Sequence, residues 1–307
     1  MKKEEFTYRS SDGMTDIHAI RWIPDEKPKA VLQIAHGMTE YADRYDAFAS
    51  FLAEHGFAVT GNDHLGHGKS VTDESKLGYF ADEKGNGKVL ADMHRLHEIT
   101  AALYPDIPYF LLGHSMGSFL ARQYAAEHGS TLNGVIVMGT GDQPGAVTAA
   151  GKKICSVIAS KNGWDHRSKM VDNIATGSYN KKFAGKTGKE WLSANPENVA
   201  KYVKDPLCMY LFTVNGYYNM FDSIGKLSDS TYVAQMPKSL PVFFVSGGDD
   251  PVGDYGKAVK KVYERFGKMG MKDVSMKLYS GDRHEILNEN DRDIVYGDIL
   301  AWLNDRM

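Results

Sequence analysis

The pattern of hydrophobic and polar positions divides the chain into short apolar runs and longer stretches of helical periodicity. Nearly continuous apolar runs at Ala30–Ala35 and Gly134–Met138 are typical of strands covered on both faces of a sheet. Between such runs, apolar residues recur at the spacing of one helix face, as in residues 89–103. This alternation predicts an α/β fold with a mostly parallel, doubly wound sheet and an active site at the carboxyl ends of its strands.

The two ends of the chain are expected to extend the same sheet. Partly alternating segments at residues 5–10 and 17–23 flank a turn around Ser11-Asp12-Gly13, so they predict a hairpin at the sheet edge. Further strands are predicted at residues 57–60, 241–245 and 274–279, and further helices at 45–55, 255–266 and 291–303.

The regular alternation stops near Gly141, and no strand of central character follows before residues 241–245. Because this stretch is too long for a loop in a compact domain, it predicts an insertion with structure of its own. We therefore expect an α/β core over residues 1–140 and 238–307 and a helical lid over 141–237, with helices near 146–160 and 198–203. The Met-, Leu- and aromatic-rich segment 205–221 either lines an acyl-chain pocket or forms the core of the lid itself.

Composition narrows the class of protein without defining its chemistry. The chain has 307 residues, of which 42% are hydrophobic and 24% charged, with a net charge of −3, so nucleic-acid binding has no support. No apolar run is long enough for a transmembrane helix, and the first residues lack the apolar core of a signal peptide. Cys155 and Cys208 are too few and too isolated for a disulfide framework or a zinc site. We expect a reduced, cytoplasmic protein without stable membrane insertion.

The clearest chemical signal is Gly113-His114-Ser115-Met116-Gly117, which fits G-x-S-x-G. It follows an apolar run and precedes a predicted helix at residues 118–126, a context that a chance copy of the motif would rarely have. This is the pattern of a nucleophile elbow, a strand-to-helix turn too sharp for bulky neighbours of the serine. Ser115 is therefore predicted to be strained, exposed and placed at the positive end of a helix dipole.

A second loop is expected to complete the environment of the reacting carbonyl. His36-Gly37-Met38 directly follows the strand Ala30–Ala35, where this architecture places an oxyanion-hole donor. We predict the backbone N–H groups of Met38 and Met116 as the two donors. Gly37 lets the backbone approach the substrate closely, and His36 is expected only to brace the loop, because the main chain does the donating.

The remaining catalytic groups are expected after the last strands, in the order Ser, Asp, His. Asp249 and Asp250 both follow the strand at residues 241–245, and we favour Asp250 because Pro251 biases its backbone toward an extended conformation that aims the side chain. Asp249 is left to cap the turn or contact solvent. His284 lies just past the strand Val274–Tyr279, and it alone among the histidines has this placement.

Other ligand sites are not supported. Asp63 stands where a phosphate-binding loop ending in Gly68-Lys69-Ser70 would need glycine. His64 and His67 with Asp63, or His94 with His97, lack the further ligands of a metal site. We expect the loop at 61–70 to be structural, with Asp63 accepting backbone hydrogen bonds, and we predict no metal or organic cofactor.

Taken together, these motifs resemble the α/β-hydrolases of the monoglyceride lipase and lysophospholipase branch, also called serine aminopeptidase-like. The resemblance covers nearly the whole chain. It implies Ser115, Asp250 and His284 as catalytic triad, Met38 and Met116 as oxyanion donors, and cofactor-independent hydrolysis of single-chain lipid esters such as monoacylglycerols or lysophospholipids. The motifs that carry it are His36-Gly37-Met38 with Glu40 and Arg44-Tyr45, Asp63 to Ser70, Gly113 to Gly117, Gly247 to Asp250, and Asp282-Arg283-His284-Glu285.

Three alternatives use the same residues. A peptidase or amidase site for a free amino terminus would be helped by a carboxylate in the lid, for which Glu190, Glu197 and Asp222 are candidates. A transferase would replace water by another acyl acceptor. A non-catalytic binding protein would keep only the fold, although an intact set of Ser115, Asp250 and His284 argues against it.

Overall fold

A single sheet forms the centre of the protein, which a computed structural model describes over residues 1–307. The strands are β1 (Lys2–Arg9), β2 (Asp16–Ile23), β3 (Ala30–Ala35), β4 (Phe57–Asn62), β5 (Tyr109–His114), β6 (Gly134–Met138), β7 (Val242–Gly247) and β8 (Val274–Tyr279). Their order across the sheet is β1-β2-β4-β3-β5-β6-β7-β8. The pairs β1–β2 and β2–β4 are antiparallel and all others parallel, which confirms both the doubly wound sheet and the edge hairpin.

Helices cover both faces of the sheet because each central strand is apolar on both sides. Val31 and Ala35 of β3 pack into one core layer, whereas Leu32 and Ile34 of the same strand pack into the other. The helices are α1 (Asp46–Glu54), α2 (Gly85–Leu103), α3 (Met116–His128), α4 (Gly145–Asn162), α5 (Lys169–Ala175), α6 (Pro196–Lys204), α7 (Val214–Lys226), α8 (Ser230–Val233), α9 (Lys257–Lys268) and α10 (Arg292–Asn304). Side chains of α1 and α10 fill one layer, and those of α2, α3 and α9 contribute to the other.

Between β6 and β7 the chain forms only helices and loops, from α4 to α8; we call residues 141–237 the insertion. It docks on the helices of the sheet through buried hydrogen bonds: the Asn86 N–H donates to Asn219 Oδ1 at 2.9 Å, and Gln123 Nε2 donates to Ser223 Oγ at 2.6 Å. None of the helices combines the length and apolar character that crossing a membrane requires.

Two of the predicted helices have different bounds in the structure. The helix expected over 255–266 begins at Lys257, because Asp254 and Tyr255 adopt left-handed conformations with φ of 47° and 56°. It also continues past Gly267 to Lys268. The helix after the elbow begins at Met116 instead of residue 118, so its first N–H groups lie directly beside Ser115.

Candidate active site

Ser115 occupies a strained turn between β5 and α3. Its φ of 53° and ψ of −119° lie outside the regions that a serine ordinarily adopts. The flanking glycines are required by close backbone contacts. A Cβ at Gly117 would lie 2.0 Å from the carbonyl oxygen of Ala35, and one at Gly113 would lie 2.2 Å from that of Gly117. Steric exclusion at these two positions thus explains the G-x-S-x-G spacing.

The loops after β7 and β8 bring Asp250 and His284 together. Nδ1 of His284 donates to Oδ2 of Asp250 at 2.9 Å, and both side chains are buried. The carboxylate of Asp250 is held in place by the Val252 N–H at 2.9 Å and by Ser246 Oγ at 3.3 Å. Asp249 is exposed, so of the two predicted candidates the structure places only Asp250 on the histidine. With Nδ1 occupied in this way, Nε2 is the ring nitrogen of His284 that is left for other chemistry.

A buried hydrogen-bond network holds the backbone of His284 in place. Nε2 of His114 donates to the backbone carbonyl of His284 at 3.1 Å, and Nδ1 of His114 lies 3.1 Å from Oε1 of Glu40. Burial alone would lower the pKa of His114, but the adjacent Glu40 carboxylate outweighs it and raises that pKa above its usual value. His114, the second residue of the elbow motif, therefore fixes the loop that carries His284.

The same network reaches the loop after β3 through charged groups. Arg44 contacts Glu285 with two hydrogen bonds of 2.8 Å and Glu40 Oε2 with one of 2.9 Å. Burial tends to raise the pKa of Glu285, yet the Arg44 guanidinium holds it below its ordinary value. Oε1 of Glu40 also accepts the N–H of Gly37. The sequence indicated Glu40, Arg44 and Glu285 only as parts of the resemblance, because their pairing depends on the tertiary fold.

The two predicted oxyanion donors lie beside Ser115 and are available to a ligand. A Cβ at Gly37 would lie 3.0 Å from Cβ of Ser115, so the loop after β3 approaches the serine closely. The N–H of Met38 has no backbone acceptor in the chain. Met116 is the first residue of α3, where N–H groups have no intrahelical partner.

His36 braces the loop after β3, and Asp63 accepts backbone hydrogen bonds from the loop at 61–70 and from Ala42, in keeping with the two structural roles that the sequence predicted. His36 Nδ1 donates to the carbonyl of Gly37 at 2.7 Å, and its Nε2 accepts the His64 N–H at 2.8 Å. Asp63 accepts the N–H groups of Ala42 at 2.9 Å and Lys69 at 2.8 Å. Their role is therefore to position backbone.

Comparison with known proteins assigns the chain to a family. The sequence profile of the hydrolases described as serine aminopeptidase S33 matches residues 26–291. The chain belongs to the S33 hydrolase family. This confirms the predicted resemblance.

The relatives of this S33 hydrolase include esterases and lipases. The monoacylglycerol lipase of Mycolicibacterium smegmatis is 25% identical over 98% of this chain and 97% of its own length. The structure of a thermostable carboxyl esterase from Bacillus coagulans matches with a TM-score of 0.92 and 31% identity, covering 100% of this chain and 99% of its own. A monoglyceride lipase variant from Saccharomyces cerevisiae shares the fold at 20% identity, with a TM-score of 0.79 over 100% of this chain and 96% of its own. The protein is thus a carboxylic ester hydrolase of the monoglyceride lipase-like branch of the α/β-hydrolases.

A cavity of about 520 Å³ joins the elbow of this S33 hydrolase to its insertion. Ser115, His284, Met38 and Met116 all line the cavity. Its apolar wall comes from the insertion and includes Val147, Ile154, Ile174, Met220, Phe221 and Ile224.

Segment 205–221 serves both purposes that the sequence left open. Phe212 and Tyr217 are fully buried in the core, whereas Met220 and Phe221 line the cavity. The carboxylates considered for a peptidase site have other contacts and do not line it: Glu190 accepts from Asn180 and Thr187, Glu197 is exposed, and Asp222 pairs with Lys152.

Proposed function

We propose that this hydrolase cleaves single-chain carboxylic esters of the monoacylglycerol type through an acyl-enzyme on Ser115. The observation that carries the proposal is the cavity lined by Ser115, by the Asp250-bound His284 and by an apolar wall. An apolar wall suits an acyl chain. The related monoacylglycerol lipase and the glycerol complex of the related esterase add support for a glycerol ester.

In the proposed mechanism, Oγ of Ser115 attacks the ester carbonyl carbon while Nε2 of His284 takes its proton. Asp250 holds His284 in the tautomer that leaves Nε2 free and stabilises the imidazolium as it forms. The N–H groups of Met38 and Met116 donate to the oxyanion. His284 then protonates the leaving alcohol, and a water molecule activated by the same nitrogen hydrolyses the acyl-enzyme.

We further propose that the insertion, residues 141–237, acts as a lid on the core formed by residues 1–140 and 238–307. Its helices α4 and α7 supply much of the apolar wall, so their separation sets the room for an acyl chain. The predicted cytoplasmic location stays a prediction; Cys155 and Cys208 are both free and buried.

Hydrolysis of p-nitrophenyl esters with short, medium and long acyl chains, followed by monoacylglycerol, tests the proposal. We expect Ser115→Ala to lower kcat by about 10⁴-fold or more with every ester, since no other nucleophile replaces it. Circular dichroism and thermal melting serve as the folding control. Full activity of the variant, or no ester hydrolysis by the folded wild type, would contradict the proposal.

A further inference from the structure

One cation in the cavity has no role in the mechanism above. Lys189 is the only lysine or arginine among the residues that line the cavity, and its side chain is half-buried. The carboxylates of Glu40 and Glu285 in the same lining are already bound by Arg44. Lys189 itself forms no salt bridge with any carboxylate.

The carboxylate whose charge acts on Lys189, that of Asp172, is hydrogen-bonded to other residues. Asp172 also lines the cavity, and its Oδ1 accepts hydrogen bonds from the hydroxyls of Tyr217 and Thr176. Burial lowers the pKa of Lys189, and the charge of Asp172 opposes this shift only in part. Nζ lies 6.0 Å from the ring centroid of Tyr202, at the outer limit of a cation–π contact.

Contacts of neighbouring residues connect Lys189 to the catalytic end of the cavity. The ring of Trp191, close to Lys189 in the chain, is 5.1 Å from the ring of His284, the group that protonates the alcohol. The hydroxyl of Tyr202 bonds to Oγ1 of Thr39 at 2.6 Å, and Thr39 follows the oxyanion donor Met38. The apolar wall of α4 and α7 is left for the acyl chain.

We propose that Lys189 binds an anionic phosphate on the alcohol part of the substrate, which makes acyl glycerol phosphates a preferred substrate class. An ammonium group that is partly removed from water and forms no salt bridge is unfavourable, and a substrate phosphate supplies the direct partner that Asp172 does not. A glycerol hydroxyl accepts a hydrogen bond but does not neutralise the charge of Lys189. The same cation disfavours a substrate with a free α-ammonium group. This inference rests on the proposed ester hydrolysis.

The test compares three substrates with one acyl chain: monodecanoylglycerol, its glycerol phosphate counterpart, and p-nitrophenyl decanoate. For the phosphate substrate, Lys189→Met is expected to lower kcat/KM by about 10- to 100-fold, as for loss of a charged hydrogen bond. For the two neutral substrates we expect a change of less than about threefold. Lys189→Arg should restore the preference for phosphate, and Lys186→Met, at an exposed lysine of the same loop, should match the wild type.

Two results would overturn the role of Lys189 alone. One is an equal loss on all three substrates, which would indicate a structural contribution. The other is an unchanged rate on the phosphate substrate. If the wild type hydrolysed none of the esters, including p-nitrophenyl decanoate, the proposed function itself would fail and the inference with it.

Discussion

The sheet end and the insertion face the same cavity but are built differently. At the sheet end, polar groups are buried and paired, as with Asp250 on His284 and Glu40 and Glu285 on Arg44. The insertion instead presents apolar side chains to the cavity, from the buried Met220 and Phe221 to the exposed Val147. Large exposed hydrophobic residues of the insertion that do not line the cavity are Val157, Trp164, Met170 and Met209.

This difference indicates how the enzyme separates catalysis from substrate selection. A strained serine such as Ser115 persists only where the surroundings over-determine it, and here β5, α3 and the backbone of Ala35 do so. Selection of a substrate by an apolar wall needs no such precision. We infer that the sheet end determines the reaction and that the insertion determines which ester reacts.

The largest expected effect comes from the sheet end. Asp250→Asn keeps the shape of the side chain but removes the charge that fixes the tautomer of His284, so kcat should fall by about 10⁴-fold with esters of every chain length. Asp249→Asn is the matched control at the exposed neighbour and should retain activity. Equal losses of kcat in the two variants, measured with p-nitrophenyl esters, would contradict the assignment of Asp250 as the partner of His284.

A substitution in the insertion is expected to lower kcat/KM about tenfold, and only for esters with long acyl chains. Ile154→Trp adds bulk to the cavity wall on α4, so kcat/KM for long-chain esters should fall about tenfold while short esters react normally. Ser156→Trp, on the exposed side of the same helix, should leave the profile unchanged. A uniform loss at all chain lengths would show that the insertion does more than select.

The smallest effect concerns stability at the sheet end. Burial, followed by the charges of Asp291 and Glu289, raises the pKa of Asp282 from 3.8 to about 7. Because the folded state then holds a proton that the unfolded chain releases, this group destabilises the fold progressively as pH rises from about 4 past 7. Asp282→Asn should therefore raise Tm relative to the wild type by about 2–4 °C near pH 8 and much less near pH 5. A Tm difference that is the same at both pH values would contradict this shift.

Local sequence patterns were sufficient to predict much of the fold. The runs Ala30–Ala35, Gly134–Met138 and Val274–Tyr279 are strands with the predicted bounds, since burial on both faces or alternation leaves a direct mark on the sequence. The start of α9 was missed, because left-handed conformations at Asp254 and Tyr255 have no such mark.

The site residues likewise differ in whether the sequence alone predicts them. Ser115, Asp250 and His284 follow strands in a recognisable order, so the sequence singled them out, and the structure brings them to one place. Lys189 gave no signal, because its position beside Tyr202 arises only from the packing of the insertion. For the same reason, the sequence could not exclude Glu190, Glu197 and Asp222 as the lid carboxylate of a peptidase, although none of them lines the cavity.

The most direct test of the central claim is covalent labelling with a fluorophosphonate, read by peptide mass spectrometry. Attack by a serine Oγ forms an O–P bond and expels fluoride, so the label reports the activated nucleophile. We predict a single adduct on Ser115, none on the buried Ser118 of the same peptide region, and greatly slowed labelling in Asp250→Asn. An adduct on another serine, or none on a protein that hydrolyses esters, would contradict the account.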